Sequence, residues 1–464
     1  MSLYDIYAQL EDGFKNRLKE GFLKIGLMTW GSNGDVRPFL VLGRELSSRG
    51  HEVRLVVFPV DHRDYTRDAM DAGIDLEQAP PPVCDLKDLA RKARGFIGRL
   101  RSMNLLMEGT FYPRHSEMRD AAQILCRSCD MVVGHFLMYP LRLLADEQGI
   151  IHSSLTFCPM IVPAKNRAPY PFSDMGGLLN RLAWNLAARI IHAALKPGIS
   201  SFCALAGLPV PEDILRNAFL SRSLNLICAS KVFAKGWDPE DSRHCQAGFL
   251  GMDGEDSPLH DDLEEFLSAG PPPVYMGFGS CDQLAPDEIF ELMVQSTRLS
   301  GVRAIIQTSA DIHDSIPIIR DIYITSGLPH RAVFPRCAGI VHHGGAGTTH
   351  TALISGKPSA VVPFMDEQVW WGQRLKEMGV AVSRPLDIRR ANPRRLGKIM
   401  QKLAADQKFE DAAEYRDRLF ALRELLNYQK IDSAALDNFD IIGFANLENR
   451  GCCQKYVYRL GKMI

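Results

Sequence analysis

Apolar residues come in short runs that alternate with stretches of helical spacing along most of the chain. The run LKIGLMTW (23–30) predicts a buried strand, and the turn GSNGD follows it directly. VRPFLVLGRELSSRG then repeats apolar residues at helical spacing and ends at a glycine, and HEVRLVVF (51–58) is the next strand. Strand, helix and strand in this order predict a right-handed βαβ crossover and therefore a parallel sheet.

The same alternation continues on both sides of a polar, turn-rich stretch at 236–259. Before that stretch, DMVVGHF and SLNLICAS predict further strands, separated by a proline- and glycine-rich loop and a long helical segment. After it come four more strand candidates, PVYMGFGS, VRAIIQTS, AGIVHHGG and SAVVPF. Two successive series of this kind predict an α/β fold in which two doubly wound Rossmann-like domains face each other across a cleft.

The domain boundaries follow from these series. We expect the first Rossmann-like domain at 23–235, a linker at 236–259 and the second domain at 260–430. Residues 1–22 are predicted to form a helical extension, whose one face carries Leu3, Tyr7, Leu10, Phe14 and Leu18. Docking or homo-oligomerisation is the first interpretation of that face, and peripheral contact with a membrane is the second. The weak periodicity of 431–464 assigns no role to this tail.

Composition narrows the class of protein. A chain of 464 residues exceeds one compact core, and a formal net charge of −1 gives no electrostatic footprint for nucleic acid. The eleven cysteines have no regular spacing and no secretory signal is visible, so we expect reduced thiols and a cytoplasmic location. No apolar run of about 18 residues is present, which predicts no transmembrane segment.

One strand–turn–helix unit combines adjacent histidines, glycines and threonines. The strand AGIV leads directly into HHGGAGTT (342–349), and the helix HTALISG follows. Glycines permit close approach of the backbone to a ligand, and a helix start offers unpaired N–H groups at the positive end of the macrodipole. This turn therefore indicates a phosphate site, with a packed glycine-rich turn as the alternative. The spacing fits neither a P-loop nor a dinucleotide fingerprint.

These residues resemble a known signature. The stretch PHRAVFPRCAGIVHHGGAGTTHTALISGKPSAVVPF resembles the donor-binding signature of nucleotide-sugar-dependent glycosyltransferases with the GT-B fold, in the antibiotic, sterol and UDP-glycosyltransferase group. PVYMGFGS is similar to the opening strand of that family's donor domain. GSNGDVRPFLVLGRELSSRGHEV is similar to its N-terminal motif. Both halves of the chain share the resemblance, in the order in which the family has the motifs.

The resemblance implies an inverting, metal-independent hexosyltransferase. It would move a hexose from a UDP- or TDP-sugar to a hydroxyl of a lipophilic acceptor such as a polyketide, a sterol or a lipid. Asp35 matches the family's general base, and its competing role is that of an N-cap for a helix beginning near Val36. His342 aligns with the diphosphate ligand, and His343 ranks second.

Further donor contacts are implied in the second half of the chain. Additional phosphate contacts fall on Ser280, Gly344, Gly347 and Thr348. Glu367 and Gln368 match the acid–glutamine pair that binds the sugar hydroxyls, although a glutamate stands here where an aspartate is usual. The nucleotide base is expected near Leu328 and His330.

The acceptor is expected against the first domain. Its predicted wall consists of Phe157, Tyr170, Phe172 and Trp184, and these rings favour a lipophilic aglycone. No Asp-x-Asp pair occurs in the sequence, so we expect no metal and no cofactor besides the nucleotide sugar itself. Two other functions stay open. A nucleotide-sugar epimerase of the same architecture would need its own acid–base carboxylates, and a non-catalytic partner of a glycosyltransferase would usually lose the donor signature.

Overall fold

A computed structural model describes residues 22–82, 99–230, 233, 237–239, 241, 243–251, 259–308 and 321–405, and the backbone of 438–447, 450–459 and 462–463. The chain divides into two compact units, Met1–Ala413 and Glu414–Ile464. The predicted N-terminal extension lies outside the described residues, apart from Phe22. Both parallel sheets described below belong to the first unit.

Buried apolar runs form a first sheet of seven parallel strands in the order β3-β2-β1-β4-β5-β6-β7. These strands are β1 (Lys24–Gly31), β2 (Glu52–Pro59), β3 (Asp75–Gln78), β4 (Met131–His135), β5 (Ile151–Thr156), β6 (Leu224–Ile227) and β7 (His244–Gln246). In the inner strand β1, every residue after Lys24 is buried, as expected for a parallel strand covered on both faces. Ile25 pairs with Val53 of β2 on one side and with Met131 of β4 on the other.

Amphipathic helices cover this sheet. They are α1 (Asn33–Ser48), α2 (Thr66–Asp71), α3 (Arg99–Thr110), α4 (His115–Ser128), α5 (Tyr139–Glu147) and α6 (Gly177–Ala206). The long helical segment predicted from the sequence, LLNRLAWNLAARIIHAALK (178–196), ends before Pro197, but the helix α6 continues to Ala206. An internal proline costs about 3 kcal/mol. The burial of Ile199, Phe202 and Cys203 beyond it offsets that cost, because all three pack in the main core.

The second sheet has five parallel strands in the order β10-β9-β8-β11-β12. They are β8 (Val274–Gly277), β9 (Ala304–Gln307), β10 (Ile322–Thr325), β11 (Gly339–His342) and β12 (Ser359–Val361). The accompanying helices are α7 (Asp261–Ser268), α8 (Pro286–Ser300), α9 (His330–Val333), α10 (Ala346–Ile354), α11 (Asp366–Glu377) and α12 (Pro393–Ala404). Two helix-covered parallel sheets confirm the predicted α/β fold with two Rossmann-like halves.

In the two parallel sheets, the pattern of apolar residues misses four strands, β3, β5, β7 and β10. Strands β3 (DLEQ) and β7 (HCQ) lie at the two edges of the first sheet, where polar residues replace the apolar run. Strand β5 (IHSSLT) is buried but polar, and its Ser154 hydroxyl contacts the side-chain oxygen of Asn225 in β6. Strand β7 also falls inside the stretch predicted to be the linker, so the first sheet extends further along the chain than the pattern indicates.

The second unit contains a small antiparallel sheet of three strands, β13 (Asn438–Leu447), β14 (Arg450–Arg459) and β15 (Lys462–Met463). It falls in the tail to which the sequence assigned no structure. In the part of the chain that the structure describes, no helix is long and apolar enough to cross a membrane.

Each parallel sheet reverses its strand order once. In the first sheet the reversal lies between β1 and β4, and in the second it lies between β8 and β11. At such a switch point the following loops diverge to opposite faces and leave a crevice at the carboxyl ends of the strands. The two sequence motifs singled out above follow β1 and β11, so both open at a switch point.

Candidate active site

Asp35 lies in the first turn of α1, at the switch point of the first sheet. The helix begins at Asn33, three residues before the predicted start, so Ser32 and not Asp35 is the N-cap. The reason is the extended backbone of Ser32, whose carbonyl accepts the N–H of Asp35 at 2.8 Å. The Asp35 Oδ2 atom in turn accepts the Ser32 N–H at 2.8 Å and the Ser32 hydroxyl at 3.3 Å. Capping therefore occupies one carboxylate oxygen.

The second oxygen of Asp35 faces a histidine that the sequence did not single out. His135 ends β4, and its Nε2 lies 3.9 Å from Asp35 Oδ1. The Nδ1 atom of His135 accepts the Leu137 N–H at 3.4 Å, and burial lowers the pKa of the imidazole to about 3. The ring is therefore neutral, with its proton on Nε2, toward Asp35. The available signal was its position at the end of a strand, since β4 neighbours β1 across the switch point.

The Asp35 carboxyl group has an unusual affinity for protons. Burial raises its pKa to about 7, the Ser32 N–H opposes this, and the negative charge of Glu367 raises the pKa further. The side chain nevertheless keeps 32% of its surface exposed. A carboxylate that titrates near neutral pH and remains accessible can take a proton from a bound hydroxyl.

Glu367, in the first turn of α11, brings the second sheet to the same place. Its Oε1 atom accepts the indole N–H of Trp371 at 3.3 Å. The thiol of Cys158, just after β5 of the first sheet, also hydrogen-bonds to this carboxylate. Burial raises the pKa of Glu367, and both hydrogen bonds oppose that shift. The structure thus brings Asp35 and Glu367 together, one carboxyl group from each sheet.

Gln368, the predicted partner of Glu367 in sugar binding, makes hydrogen bonds within the protein. Its side-chain oxygen accepts the N–H groups of Phe364 and Met365 at 2.7 and 3.1 Å, and its amide nitrogen lies 3.4 Å from Cys281 Sγ. The residue is also buried. These contacts cap α11, so a sugar hydroxyl would have to displace them.

The histidine–glycine turn lies at the switch point of the second sheet. Strand β11 ends at His342, and α10 begins at Ala346 with Gly345 as its N-cap. Gly344 adopts a φ of +95°, and an added Cβ there would lie 2.7 Å from the backbone oxygen of Gln368. Only glycine fits this position, because both the backbone angle and the space exclude a side chain. The turn is therefore held close against the start of α11.

The two histidines of this turn differ in accessibility. His342 is completely buried, and its Nδ1 accepts the Gly344 N–H at 3.2 Å. His343 is half-buried, and its ring lies between Gly279, after β8, and Gly345. Burial lowers the pKa of His342 to about 3 and that of His343 to about 4, so both rings are neutral. In the described part of the chain, His342 Nε2 and His343 Nδ1 have no hydrogen-bond partner.

The other predicted donor residues divide into two groups. Ser280 and Thr348 are half-buried and Gly347 is exposed, at the turn after β8 and at the start of α10. His330 instead points its ring into the second sheet. Its Nε2 lies 2.9 Å from Gln307 Oε1 and 3.0 Å from the Tyr275 hydroxyl, and the ring stacks on Phe334. Leu328, two residues earlier, is half-buried.

The predicted acceptor wall is only partly assembled. The Phe157 ring is buried and lies 5.3 Å from the ring of His135, whose Nε2 faces Asp35. Tyr170 is half-buried, and Phe172 is 61% exposed. Trp184 packs in the main core and donates its indole N–H to the Arg167 carbonyl at 2.8 Å, so it supports the wall and does not line an open surface. Its spacing in α6 places it on the buried face.

Comparisons with known proteins identify the family. Residues 302–421 match the family model described as the erythromycin biosynthesis protein CIII-like C-terminal domain. Glycosyltransferase GtfE of Amycolatopsis orientalis is 30% identical over 372 residues, which cover 78% of this chain and 86% of the relative. The chain belongs to the GT-B glycosyltransferases. It is therefore an enzyme of the antibiotic and sterol glycosyltransferase type.

Other relatives and solved structures extend the comparison. The vancomycin aglycone glucosyltransferase of Amycolatopsis orientalis is 28% identical, covering 78% of this chain and 86% of its own. The sterol 3-beta-glucosyltransferase UGT80B1 of Arabidopsis thaliana is 23% identical, and the match covers 92% of this chain and 70% of the relative. The kitacinnamycin glycosyltransferase structure has a TM-score of 0.62 at 19% identity, and the match covers 88% of this chain and 98% of that chain. The structure of the glycosyltransferase VinC in complex with dTDP has a TM-score of 0.58 at 19% identity, covering 87% and 98%. At this identity the structures show the fold alone.

Cations of the transferase also approach the site from both sheets. Arg37 follows Asp35 by two residues and is half-buried. Burial lowers the pKa of Arg37 most, and the positive charges of Arg63 and of Arg331, on α9 in the second half, lower it further. Arg37 in turn contributes to the lowered pKa of His330, after burial. Positive side chains gathered here suit an anionic ligand. Among the described residues, no cluster of three or more His, Cys, Asp or Glu side chains could hold a metal ion.

The two halves of the transferase meet at His350, in α10. Its Nδ1 donates to the Ala346 carbonyl at 2.7 Å, and its Nε2 accepts the Ser230 N–H, from the end of the first sheet, at 3.3 Å. The ring stacks on Phe249 at 4.1 Å and is completely buried. His350 therefore needs one specific neutral tautomer, and burial lowers its pKa to about 4.

Proposed function

We propose that this chain is an inverting glycosyltransferase that moves a hexose from a UDP- or TDP-sugar to a hydroxyl of a lipophilic acceptor, without a metal ion. The observation that carries the proposal is the Asp35 carboxyl group, which has a pKa of about 7 and faces Glu367 of the other sheet. The half bearing the first sheet would bind the acceptor, and the half bearing the second would bind the donor.

Each bond change has a candidate residue. Asp35 takes the proton of the acceptor hydroxyl as its oxygen attacks the anomeric carbon of the sugar. The bond from that carbon to the diphosphate breaks on the opposite face, so the configuration inverts. The departing diphosphate carries the developing negative charge. The N-terminus of α10 and the ring of His343 would stabilise that charge, because both offer N–H donors at the turn.

His135 would hold Asp35 in position. Its Nε2–H faces Asp35 Oδ1 at 3.9 Å, while Ser32 occupies Oδ2. Ser32 therefore anchors one carboxylate oxygen by hydrogen bonds, and the His135 ring limits the movement of the other. Phe157, packed beside His135, would form the apolar wall for the acceptor.

The donor contacts extend the same proposal. Glu367 would accept hydrogen bonds from sugar hydroxyls. The exposed and half-buried residues of the two turns, Ser280, Gly347 and Thr348, would contact the phosphates. Backbone groups near Leu328 would hold the base. A TDP-sugar is a reasonable donor because VinC was crystallised with dTDP. A hexose and an apolar aglycone fit relatives named as glucosyltransferases of vancomycin aglycone and of sterols. The eight cysteines of the described side chains are free, in keeping with a cytoplasmic setting.

Calorimetry tests the donor site first. We would titrate UDP-glucose and TDP-glucose into the wild type, His343→Ala and His342→Ala, without acceptor. We expect at least one nucleotide sugar to bind, and His343→Ala to weaken it by about 1.5–3 kcal/mol, the usual value of a hydrogen bond to a charged group. His342→Ala tests the alternative assignment, since that ring is buried. Binding that neither substitution changes would remove the histidine turn from the donor site.

Turnover tests the chemistry. With a panel of sterol and polyketide acceptors, we expect product of inverted anomeric configuration, formed equally in the presence of EDTA. Asp35→Asn should lower kcat by about 10²–10⁴-fold while donor affinity is kept. A nucleotide-sugar epimerase would instead exchange a sugar proton with solvent and form no glycoside. A non-catalytic partner would bind donor weakly or not at all and would co-purify with an active transferase.

A further inference from the structure

Exposed apolar side chains concentrate in one short segment of the transferase. Large apolar residues are rarely grouped on the surface of a monomeric protein unless they contact something. Between residues 172 and 190, seven of them are exposed by 42–72%. They are Phe172, Met175, Leu178, Leu179, Leu182, Leu186 and Ile190, and we call this group the apolar stripe.

Helical spacing places the stripe on one face of α6. Leu178, Leu182, Leu186 and Ile190 follow one another at intervals of four residues, so their side chains lie in a row. The opposite face carries the buried residues Asn180, Trp184, Ala188 and Leu195 and packs on the core. The stripe is therefore a second apolar face, and the fold of the described residues leaves it open to solvent.

The charges of α6 are one-sided. Over its 30 residues the helix carries Arg181, Arg189 and Lys196, all exposed, and neither aspartate nor glutamate. The whole chain, in contrast, is balanced, with 54 basic and 55 acidic residues. On a helical projection at 100° per residue, Arg189 and Lys196 fall at the border of the stripe, next to Leu178. Within α6, leucines bordered by cations and without aspartate or glutamate are the pattern of a helix that lies in a membrane interface. Two features nearby reduce the positive charge: Asp174 is exposed just before the helix, and Arg189 lines a cavity together with Glu212 and Asp213.

We propose that the apolar stripe of α6 binds the surface of an anionic lipid bilayer. The leucines and Phe172 would enter the boundary between headgroups and acyl chains, and Arg189 and Lys196 would contact the phosphates. The helix would lie in the plane of the interface. An anionic bilayer suits this face of α6, because the face carries both apolar and positively charged side chains.

The position of the stripe gives this contact a use. Its first residue, Phe172, follows Tyr170 by two positions in the loop proposed to face the acceptor. A lipophilic acceptor dissolved in the bilayer would then lie next to the acceptor side of the cleft. This consequence rests on the proposed function, whereas the binding of lipid does not.

Sedimentation with vesicles tests the binding. We would compare the full chain on vesicles of phosphatidylcholine alone and of phosphatidylcholine mixed with phosphatidylglycerol. We expect binding to the anionic vesicles, decreasing as salt is added. Leu182→Glu with Leu186→Glu should weaken it about tenfold or more. Arg189→Gln with Lys196→Gln should lower affinity for the anionic vesicles and leave binding to the neutral ones unchanged.

Leu299→Glu is the matched control, because Leu299 lies on α8 and is 57% exposed, like Leu182. It should bind vesicles as the wild type does. Circular dichroism and nucleotide-sugar titration of each variant separate loss of folding or of the proposed donor site from loss of lipid binding.

Four results would overturn the proposal. The wild type does not bind anionic vesicles, or the stripe variant binds them equally well. Alternatively, analytical ultracentrifugation shows a dimer that the stripe variant abolishes, so that a second copy covers the stripe. Finally, lipid binding emerges only when Leu10→Ser and Phe14→Ser are introduced, so that the N-terminal segment covers it.

Discussion

The Asp35 carboxyl group makes the pH dependence of turnover a direct test of the site. A general base must be deprotonated in the free enzyme, so kcat/KM falls on the acid side of its pKa. Burial and the charge of Glu367 outweigh the hydrogen bonds from Ser32 and raise this pKa to about 7. With an ordinary aspartate, whose pKa is 3.8, kcat/KM would show no such fall (the acid limb of the profile) in the neutral range.

The size of the effect follows from that value. With a pKa of about 7, roughly 10% of the enzyme carries the Asp35 carboxylate at pH 6 and roughly 90% at pH 8. We therefore expect kcat/KM to rise roughly ninefold over this interval. An aspartate with an unshifted pKa would be fully ionised at both values and would give a flat profile.

Two substitutions should move the limb in opposite directions. Glu367→Gln removes a negative charge that favours the protonated form of Asp35, so the limb moves to lower pH. Ser32→Ala removes the hydroxyl that donates to Asp35 Oδ2 at 3.3 Å, so the limb moves to higher pH. The assay is initial rate at low acceptor concentration from pH 5.5 to 8.5, with donor saturating and stability checked at each pH.

The variants are compared by the pH at which kcat/KM falls and not by the absolute rate, because Glu367→Gln is also expected to weaken donor binding. A flat profile in the wild type would refute Asp35 as the titrating base. A limb that stays in place in both variants would show that another group titrates.

Three further predictions concern the same framework. His135→Phe should lower kcat by about tenfold or more with little change in KM, since the substitution removes an N–H that faces Asp35. Steady-state kinetics measure both constants, and a rise in KM as large as the fall in kcat would contradict this role. Gly344→Ala should destabilise the protein by about 2–4 kcal/mol in urea unfolding. Gly344 has a φ of +95°, and the new Cβ would lie 2.7 Å from the backbone oxygen of Gln368. The control Gly327→Ala, where the new Cβ would enter open space, should leave the free energy of unfolding close to unchanged. His350 has a pKa of about 4 in the folded protein and 6.5 as its ordinary value, so it contributes stability above pH 6.5 that is lost as the pH falls. His350→Phe should therefore reduce the fall in unfolding free energy between pH 6 and 5 by about 1 kcal/mol per pH unit, and an unchanged slope would show that His350 is not the group responsible.

The sequence predicts the architecture well where burial decides the residue type. Strands β1, β2, β8 and β9 are covered on both faces, so their apolar runs are visible without the structure. The polar edge strands β3 and β7 and the polar strand β5 give no such run, because solvent or a side-chain hydrogen bond replaces apolar packing. The continuation of α6 past Pro197 is equally invisible, since it depends on what the later residues pack against.

For the site, sequence motifs predict the turns but not the partners. The motif indicated Asp35, yet its proton affinity depends on Glu367, which lies more than three hundred positions away. His135 carries no motif of its own and gains its meaning only because β4 neighbours β1. The difference in burial between His342 and His343 also requires coordinates, because a strand end does not tell which ring faces the core and which faces the adjoining turn.

The placement of the two carboxyl groups has a mechanistic consequence. Asp35 belongs to a turn of the first sheet and Glu367 to a helix of the second, and Cys158 of the first sheet hydrogen-bonds to Glu367. Burial is the largest cause of the raised pKa of Asp35, and the half of the enzyme proposed to bind the donor adds to it through the charge of Glu367. If the two halves separate, the Glu367 charge moves away, and the pKa of Asp35 falls by that contribution. The acid limb of kcat/KM thus reports the contact between the two halves as well as the identity of the base.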